Sequence, residues 1–259
     1  MPTRRRLDAE LVRRGLASSR TEAQRLIEVG GVLVSGRPSA RPATLVSSGE
    51  PIAVEEGDRW ASRAGGKLAS AIATFAVPTK GASALDVGAS TGGFTDVLLN
   101  HGVASVVAID VGYGQMISRL AEDRRVTVRD RTNFRFADVG ALGAPFDIIV
   151  VDCSFISVTL LASNLAAAGR PGSHYVVLVK PQFEVGRSGV GAGGIVRDSA
   201  GHREAAMSVA EALATHGIGP CGLIASPVRG TKGNQEFLLH AVKGGAAIDI
   251  GTLLEGVIA

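Results

Sequence analysis

The sequence is poor in cysteine: Cys153 and Cys221 are the only two among 259 residues. They share no motif spacing, so neither a disulfide framework nor a zinc site is expected. Also missing is any apolar run near the ~18–20 residues needed to cross a membrane. The basic start, Met1 to Arg6, runs into Leu7-Asp8-Ala9-Glu10-Leu11 rather than an apolar core, which argues against a secretory signal. No internal repeat is found. With 46% hydrophobic residues and 34 glycines, nothing suggests disorder or a coiled coil. These absences lead us to expect a protein of a reducing cytoplasm that makes no membrane contact; the sequence does not determine its oligomeric state, with a monomer favoured.

The length suits one α/β domain plus a small module. Charge divides the chain in the same way. Residues 1–49 hold nine arginines against four acids, a local balance of +5. Arg4, Arg5, Arg6, Arg13, Arg14, Arg20 and Arg25 form the densest part of this excess and are the candidate RNA-binding residues. Such a patch is the footprint of a phosphate-backbone binder. Charge alone fits a solvated basic face equally well.

The first sixty residues read as two short helices and a few short strands. Ser19 is the expected N-cap of one helix, with Glu22 three residues later, Ala23, Leu26 and Ile27 on one face, and Gly30-Gly31 as its end. Strands are expected at 32–34 and in "PIAVEE". We place a small basic module at 1–57, a linker anchored by Trp60 at 58–66, and a second domain at 67–259. From Lys67 onward, apolar runs alternate with helical patterns, the mark of a doubly wound parallel sheet. Strands are expected at 84–87, 105–110, 126–129, 147–151, 175–180, 221–225 and 236–242. The glycine-rich stretch from Lys180 to His202 reads as a long functional loop.

"ALDVGASTGGFTD" places Asp86 in the first of these strands. Gly88 follows, then Ala89, Ser90 and Thr91, and Gly92-Gly93 open a helix ahead of Phe94. Glycine is required where backbone passes close to a ligand and where a helix packs tightly on a strand. The spacing G-x-x-x-G-G differs from the G-x-G-x-x-G of dinucleotide enzymes, and no Lys-Ser/Thr pair follows as in a P-loop. Asp110 closes the next strand about twenty residues on, where a carboxylate can accept both ribose hydroxyls. A nucleoside cofactor without a phosphate fits, and we assign S-adenosyl-L-methionine to residues 86, 88–94 and 110, with Asp152 at its amino-acid end.

In open α/β sheets the chemistry sits at the carboxyl ends of the strands. Asp152 and Lys180 end strands, and Glu236 stands near the start of the last one. Lys67 lies near the start of a helix, where a cation is unfavourable to the helix dipole. Singly, each also reads as an ordinary capping, snorkelling or surface charge.

Several ordered motifs run along the chain: "SRAGGKL", "LDVGASTGGFTD", "AIDVGYGQ", "RDRTNFR", "VVDCSFISV", "LVKPQFE", "GIVRDSAGH" and "GNQEFLLH". Together they resemble the TlyA, or haemolysin A, family of ribosomal RNA 2'-O-methyltransferases. "SRAGG" stands where "SRGG" is commoner, and the linker reads Asp58-Arg59-Trp60-Ala61 rather than Arg-x-Trp-Val. The resemblance implies an S-four-type RNA-binding domain followed by an FtsJ-like class I methyltransferase fold, a seven-stranded mostly parallel sheet with helices on both faces. It implies ribosomal RNA, or a ribosomal subunit, as partner, cytidine ribose as target and no metal. The family's Lys-Asp-Lys-Glu tetrad falls on Lys67, Asp152, Lys180 and Glu236. In this reading Lys180 polarises or deprotonates the ribose hydroxyl, Asp152 orients it, and Lys67 with Glu236 holds the ribose. For Lys180 to act as a base, burial and Lys67 must lower its pKa against the pull of Asp152 and Glu236.

Three other readings compete. A pore former would need a spanning segment or a basic amphipathic helix. A base methyltransferase would be expected to carry an Asn/Asp-Pro-Pro-Tyr/Phe stretch after the fourth strand, and the sequence has none. A non-catalytic assembly factor would bind ribosomal RNA without transferring a methyl group.

Overall fold

Leu7, Leu11, Ala23 and Ile27 recur at helical spacing, and all four are completely buried. They belong to α1 (Leu7–Arg13) and α2 (Arg20–Glu28), which pack together with Val32 and Val46 as one small core. The backbone N–H of Glu22 donates to Ser19 Oγ at 3.1 Å, so Ser19 caps α2 as expected. The computed structural model describes residues 4–17, 19–28, 31–39, 41–54, 60–186, 189–191, 193–230 and 233–258. Gly30 of the expected helix end, and Asp58 and Arg59 of the linker, lie outside them.

Around these helices run β1 (Arg4–Arg6), β2 (Val32–Val34), β3 (Arg37–Pro38), β4 (Leu45–Ser47) and β5 (Ile52–Val54). β2 pairs with β3 and β5 as a three-stranded antiparallel sheet. β1 pairs antiparallel with β4, Arg5 opposite Val46. β1 has no local signal, because three consecutive arginines carry no apolar alternation. Its pairing rests on backbone alone.

The chain folds as two compact units, residues 1–63 and 64–259. The second opens with α3 (Ala64–Phe75), three residues ahead of the expected domain start. Gly65 and Gly66 argue for a linker by propensity, but propensity is a weak prior where a helix buries one face. Gly65, Leu68, Ala71 and Ile72 are all buried. There follow β6 (Ser83–Val87), α4 (Gly93–Asn100), β7 (Ser105–Ile109), α5 (Ser118–Ala121), β8 (Val126–Arg129), β9 (Phe146–Val151), α6 (Ala162–Ala168) and β10 (Gly169–Val179). The chain then continues through α7 (Pro181–Glu184), α8 (Ser199–Thr215), β11 (Ile218–Ala225), β12 (Phe237–Lys243) and α9 (Ile250–Glu255).

The seven strands lie in the order β11-β12-β10-β9-β6-β7-β8. All run parallel except β12, which is antiparallel to both neighbours. From β6 the chain winds outward through β7 and β8, then returns to β9 on the other side of β6. That reversal opens a crevice at the strand carboxyl ends, where ligands bind in such sheets. Ile148–Val151 and Tyr175–Val179 are each no more than 1% exposed, as expected of strands covered on both faces. β10 starts six residues earlier than expected, because the Gly169–Ser173 stretch reads as a turn yet rejoins β9 across a bulge. Asp110 and Lys180 stand one residue past their strands, and Glu236 stands one residue before β12.

Candidate active site

At the end of β6 the backbone turns through Gly88 at φ 88°. Its N–H donates to the Ile109 carbonyl at 2.9 Å. A Cβ here would stand 2.6 Å from the Asp152 carbonyl oxygen, so only glycine lets the two strand ends approach this closely. A cavity of about 520 Å³ opens beside this turn. Gly88, Ser90, Asp110 and Asp152 line it on the polar side, with Ile109, Val111 and Phe134 on the apolar side. Asp110 accepts from the backbone N–H groups of Ser90 at 2.9 Å and Gly112 at 2.7 Å. Its carboxylate is thereby fixed at the cavity wall. Gln115, Thr132 and Asn133 also line the cavity; they lie within the motifs "AIDVGYGQ" and "RDRTNFR", where no role of their own had been assigned to them.

The other residues assigned to the cofactor shape the cavity from behind rather than line it. Ala89 donates its N–H to Ile109, Thr91 accepts from Ile117, Gly92 at φ 97° caps α4, Gly93 opens that helix, and Phe94 is buried in the core. Asp86 is completely buried, accepting from Thr95 Oγ1 at 2.6 Å through Oδ2 while Oδ1 has no partner. Burial pushes its carboxyl up to about 7; the Thr95 hydrogen bond pulls it back, and Asp152 and Asp110 add like-charge repulsion. Asp86 thus lies behind the cavity, close enough to Asp152 and Asp110 in its wall to feel their charge.

Four charged side chains meet as two pairs. Lys180 Nζ lies 2.5 Å from Asp152 Oδ1 and donates to Ser154 Oγ at 2.9 Å. Lys67 Nζ lies 2.5 Å from Glu236 Oε2. Lys67 and Lys180 are 7% and 8% exposed, and Glu236 is 2% exposed. The cation that the helix dipole disfavours at Lys67 is therefore held by a carboxylate from the far end of the sequence. Gly230 makes room for that carboxylate, since a Cβ there would fall 2.0 Å from Glu236 Oε1.

A second cavity, of about 310 Å³, is lined by Ser154, Phe155, Lys180, Gln182, Asn234 and Glu236 among others. It shares Ser154 and Phe155 with the first, so the two meet where Lys180 and Asp152 pair. Phe155 is 91% exposed and sits at φ 66°. Both are unusual for a bulky apolar residue, and outliers of this kind cluster at functional sites. Glu184 braces the wall by accepting from Ser157 Oγ at 2.5 Å and the Val158 N–H at 2.9 Å. Burial raises its pKa.

In the first unit, the arginines surround two fully buried acids, Asp8 and Glu10. Asp8 accepts from Arg6, Arg20 and Gln24 at 2.9–3.2 Å. Glu10 accepts from Arg13 and Arg14, with Arg5 at 4.0 Å. Arg14 also donates to the carbonyls of Ser47, Ser48 and Glu50. Hydrogen bonding from Arg6 holds the Asp8 carboxyl well below the usual range, and Arg13 and Arg14 hold Glu10 at about 2. Arg4 is exposed, and the side chain of Arg25 lies outside the described residues.

A glycine turn at the switch point, a carboxylate ending the second strand and a reversed last strand together describe a nucleoside-binding transferase. Residues 60–243 match the FtsJ-like methyltransferase family, and residues 5–52 match the S4 domain. The chain belongs to the FtsJ-like methyltransferases. It is 45% identical over 241 residues to the 16S/23S rRNA (cytidine-2'-O)-methyltransferase TlyA of Mycobacterium tuberculosis, covering 92% of this chain and 90% of that one. It is 35% identical to Hemolysin A of Brachyspira hyodysenteriae, over 92% of this chain and 99% of that one. A solved structure from Streptococcus thermophilus that carries the name hemolysin superposes with a TM-score of 0.78 at 35% identity, covering 100% of this chain and 95% of that one. Within the FtsJ-like enzymes, the chain is a member of the TlyA family. Among the described residues, no helix is long and apolar enough to cross a membrane.

Proposed function

We propose that the protein transfers a methyl group from S-adenosyl-L-methionine to the ribose 2'-hydroxyl of cytidine in ribosomal RNA of the small subunit, the large subunit or both. The observation that carries this reading is the junction of two cavities at the Asp152–Lys180–Ser154 cluster. The first cavity fits the donor. Asp110 can meet ribose hydroxyls, the apolar wall suits a base, and Asp86, Asp110 and Asp152 concentrate negative charge where a sulfonium and an ammonium would lie. When bound, S-adenosylmethionine supplies an electrophilic methyl group.

The chain's own residues then have two tasks, to align the acceptor and to manage its proton. Alignment alone can contribute about 7–11 kcal/mol. Asp152 and Ser154 occupy two of the three hydrogen-bonding directions of the Lys180 amine, leaving the third for the ribose oxygen. As an ammonium it polarises the hydroxyl; as an amine it accepts the proton. The Lys67–Glu236 pair closes the opposite side of the acceptor cavity. Phe155 offers a face on which an extruded base can stack.

The arginines of the first unit, Arg4, Arg5, Arg6, Arg13, Arg14, Arg20 and Arg25, supply affinity for the RNA backbone, and that affinity falls steeply with salt. A ribosomal substrate puts the work in the cytoplasm. Incubating the protein with tritiated S-adenosylmethionine and purified ribosomal subunits, then mapping 2'-O-methyl groups by primer extension at limiting nucleotide, should place the label on cytidine ribose. Label on a base, or binding with no transfer, would sink the reading and favour a base methyltransferase or an assembly factor.

The three carboxylates give a thermodynamic check. The Asp86 pKa is raised to about 7, so near neutral pH the group is partly protonated, and a bound cation nearby lowers the pKa and expels the proton. Calorimetry in buffers of different ionisation enthalpy should register release of up to about half a proton per S-adenosylmethionine bound near pH 7. Release should fade toward pH 9, where Asp86 is already ionised, and vanish in Asp86→Asn. Proton uptake, or release unchanged by Asp86→Asn, would contradict this account of the site.

A further inference from the structure

The acceptor cavity contains one polar side chain that the protein leaves unused. Lys180 is held by Asp152 and Ser154, and Glu236 by Lys67. Asn234 uses both ends of its amide, accepting from the Val196 N–H at 3.1 Å and donating to the Gly194 carbonyl at 2.9 Å. Gln182 lines the same cavity, yet its Oε1 is shielded from solvent and has no hydrogen-bond partner. Among the described residues, only one other buried side-chain atom is left in this way, Asp86 Oδ1. Buried polar atoms are nearly always satisfied, so an orphan in the wall of a site calls for a partner that arrives with the ligand.

The placement of Gln182 is well fixed. Pro181 forms the first turn of α7 immediately after Lys180, and Glu184 ties the same turn to Ser157 and Val158. The carboxamide is thus carried on a braced backbone, two residues beyond the group that meets the ribose. Turning Oε1 toward the cavity becomes favourable once a donor stands there.

We propose that Gln182 reads the hydrogen-bonding edge of the target base, a step that rests on the cytidine reading given above. Cytosine presents its N4 amino donor beside the N3 acceptor. A carboxamide meets both at once, Oε1 accepting from the amino group and Nε2 donating to N3, as glutamine does with the adjacent donor and acceptor of adenine. Uracil presents the reverse order and can be met only by an amide turned over. Gln182 is a specificity residue: it holds the base so that the 2'-hydroxyl faces Lys180, and takes no part in the transfer.

The test compares wild type, Gln182→Leu and Gln182→Glu on ribosomal subunits carrying cytidine at the methylated position. Leucine removes both hydrogen bonds and should lower kcat/KM on cytidine roughly 10-fold, with the dissociation constant for S-adenosylmethionine unchanged. Glutamate only accepts, so one oxygen can still take the N4 amino hydrogen while the other stands against the N3 lone pair, and cytidine activity should fall by roughly 10-fold with cofactor affinity unchanged. The inference is overturned if Gln182→Leu or Gln182→Glu matches wild type on cytidine, or if either loses cofactor affinity in step with activity. Failure of the cytidine reading itself shows separately, as wild type that does not label cytidine.

Discussion

Replacing Lys180 with alanine should lower methyl transfer to ribosomal RNA by about 10²–10⁴-fold, the usual contribution of a positioned acid–base group, while leaving S-adenosylmethionine binding intact. The separation follows from geometry. Lys180 lines the acceptor cavity and is absent from the wall of the donor cavity, which it touches through Asp152 and Ser154. Single-turnover transfer and equilibrium cofactor binding measure the two effects independently. An undiminished transfer rate, or a loss of cofactor binding as large as the loss of rate, would falsify the assignment. Lys180→Arg separates the two forms of the role. Arginine keeps the charge and donates hydrogen bonds but accepts no proton, so retention of most activity would assign polarisation and its loss would assign proton abstraction.

The second large effect is on the fold. Lys67 and Glu236 form an ion pair whose side chains are 9% and 3% exposed. Removing one partner of such a pair strands a charge in a low-dielectric site, at a cost of about 3–5 kcal/mol. Glu236→Leu should therefore shift the urea unfolding midpoint sharply downward. Replacing both, as Lys67→Met with Glu236→Leu, removes the stranded charge and should recover most of the lost stability, since well-packed apolar substitutes for buried pairs are often neutral or better. Neither variant should methylate RNA at the wild-type rate. A double variant as unstable as the single one would mean that the loss came from packing against Gly230 rather than from the unpaired ammonium.

Much of the second unit was legible because its strands are buried on both faces. The runs "IIVV" and "YVVLV" admit few other readings, and the turn residues around them mark the alternation. The glycine turn and Asp110 could be found because a ligand constrains backbone and carboxylate at fixed spacing. What stayed hidden depends on partners distant in sequence. That Lys67 pairs with Glu236, and Lys180 with Asp152, follows from strand order and not from any local pattern. Gly230 looked like any loop glycine until Glu236 was seen against it. Gln182 lies in the motif "LVKPQFE" with no role of its own legible there, and its missing hydrogen bond is what sets it apart. In the first unit the arginines were counted as free charge, whereas Asp8 and Glu10 already engage most of those whose side chains are described.

The position of β12 also bears on how the site is assembled during folding. Among the described residues β12 follows the other strands of its sheet in sequence, yet it lies inside the sheet between β10 and β11, and its reversed direction is what brings Glu236 to the face where the parallel strands end. A nascent chain that has emerged only as far as β11 has an open edge on β10, a lysine at 67 with no carboxylate, and a catalytic cavity lacking one wall. Closure by a non-local strand is slow compared with local folding, and domains emerging from the ribosome fold as units. The wall that carries Glu236 is therefore completed by a late, non-local step of folding, after the rest of the parallel sheet is in place.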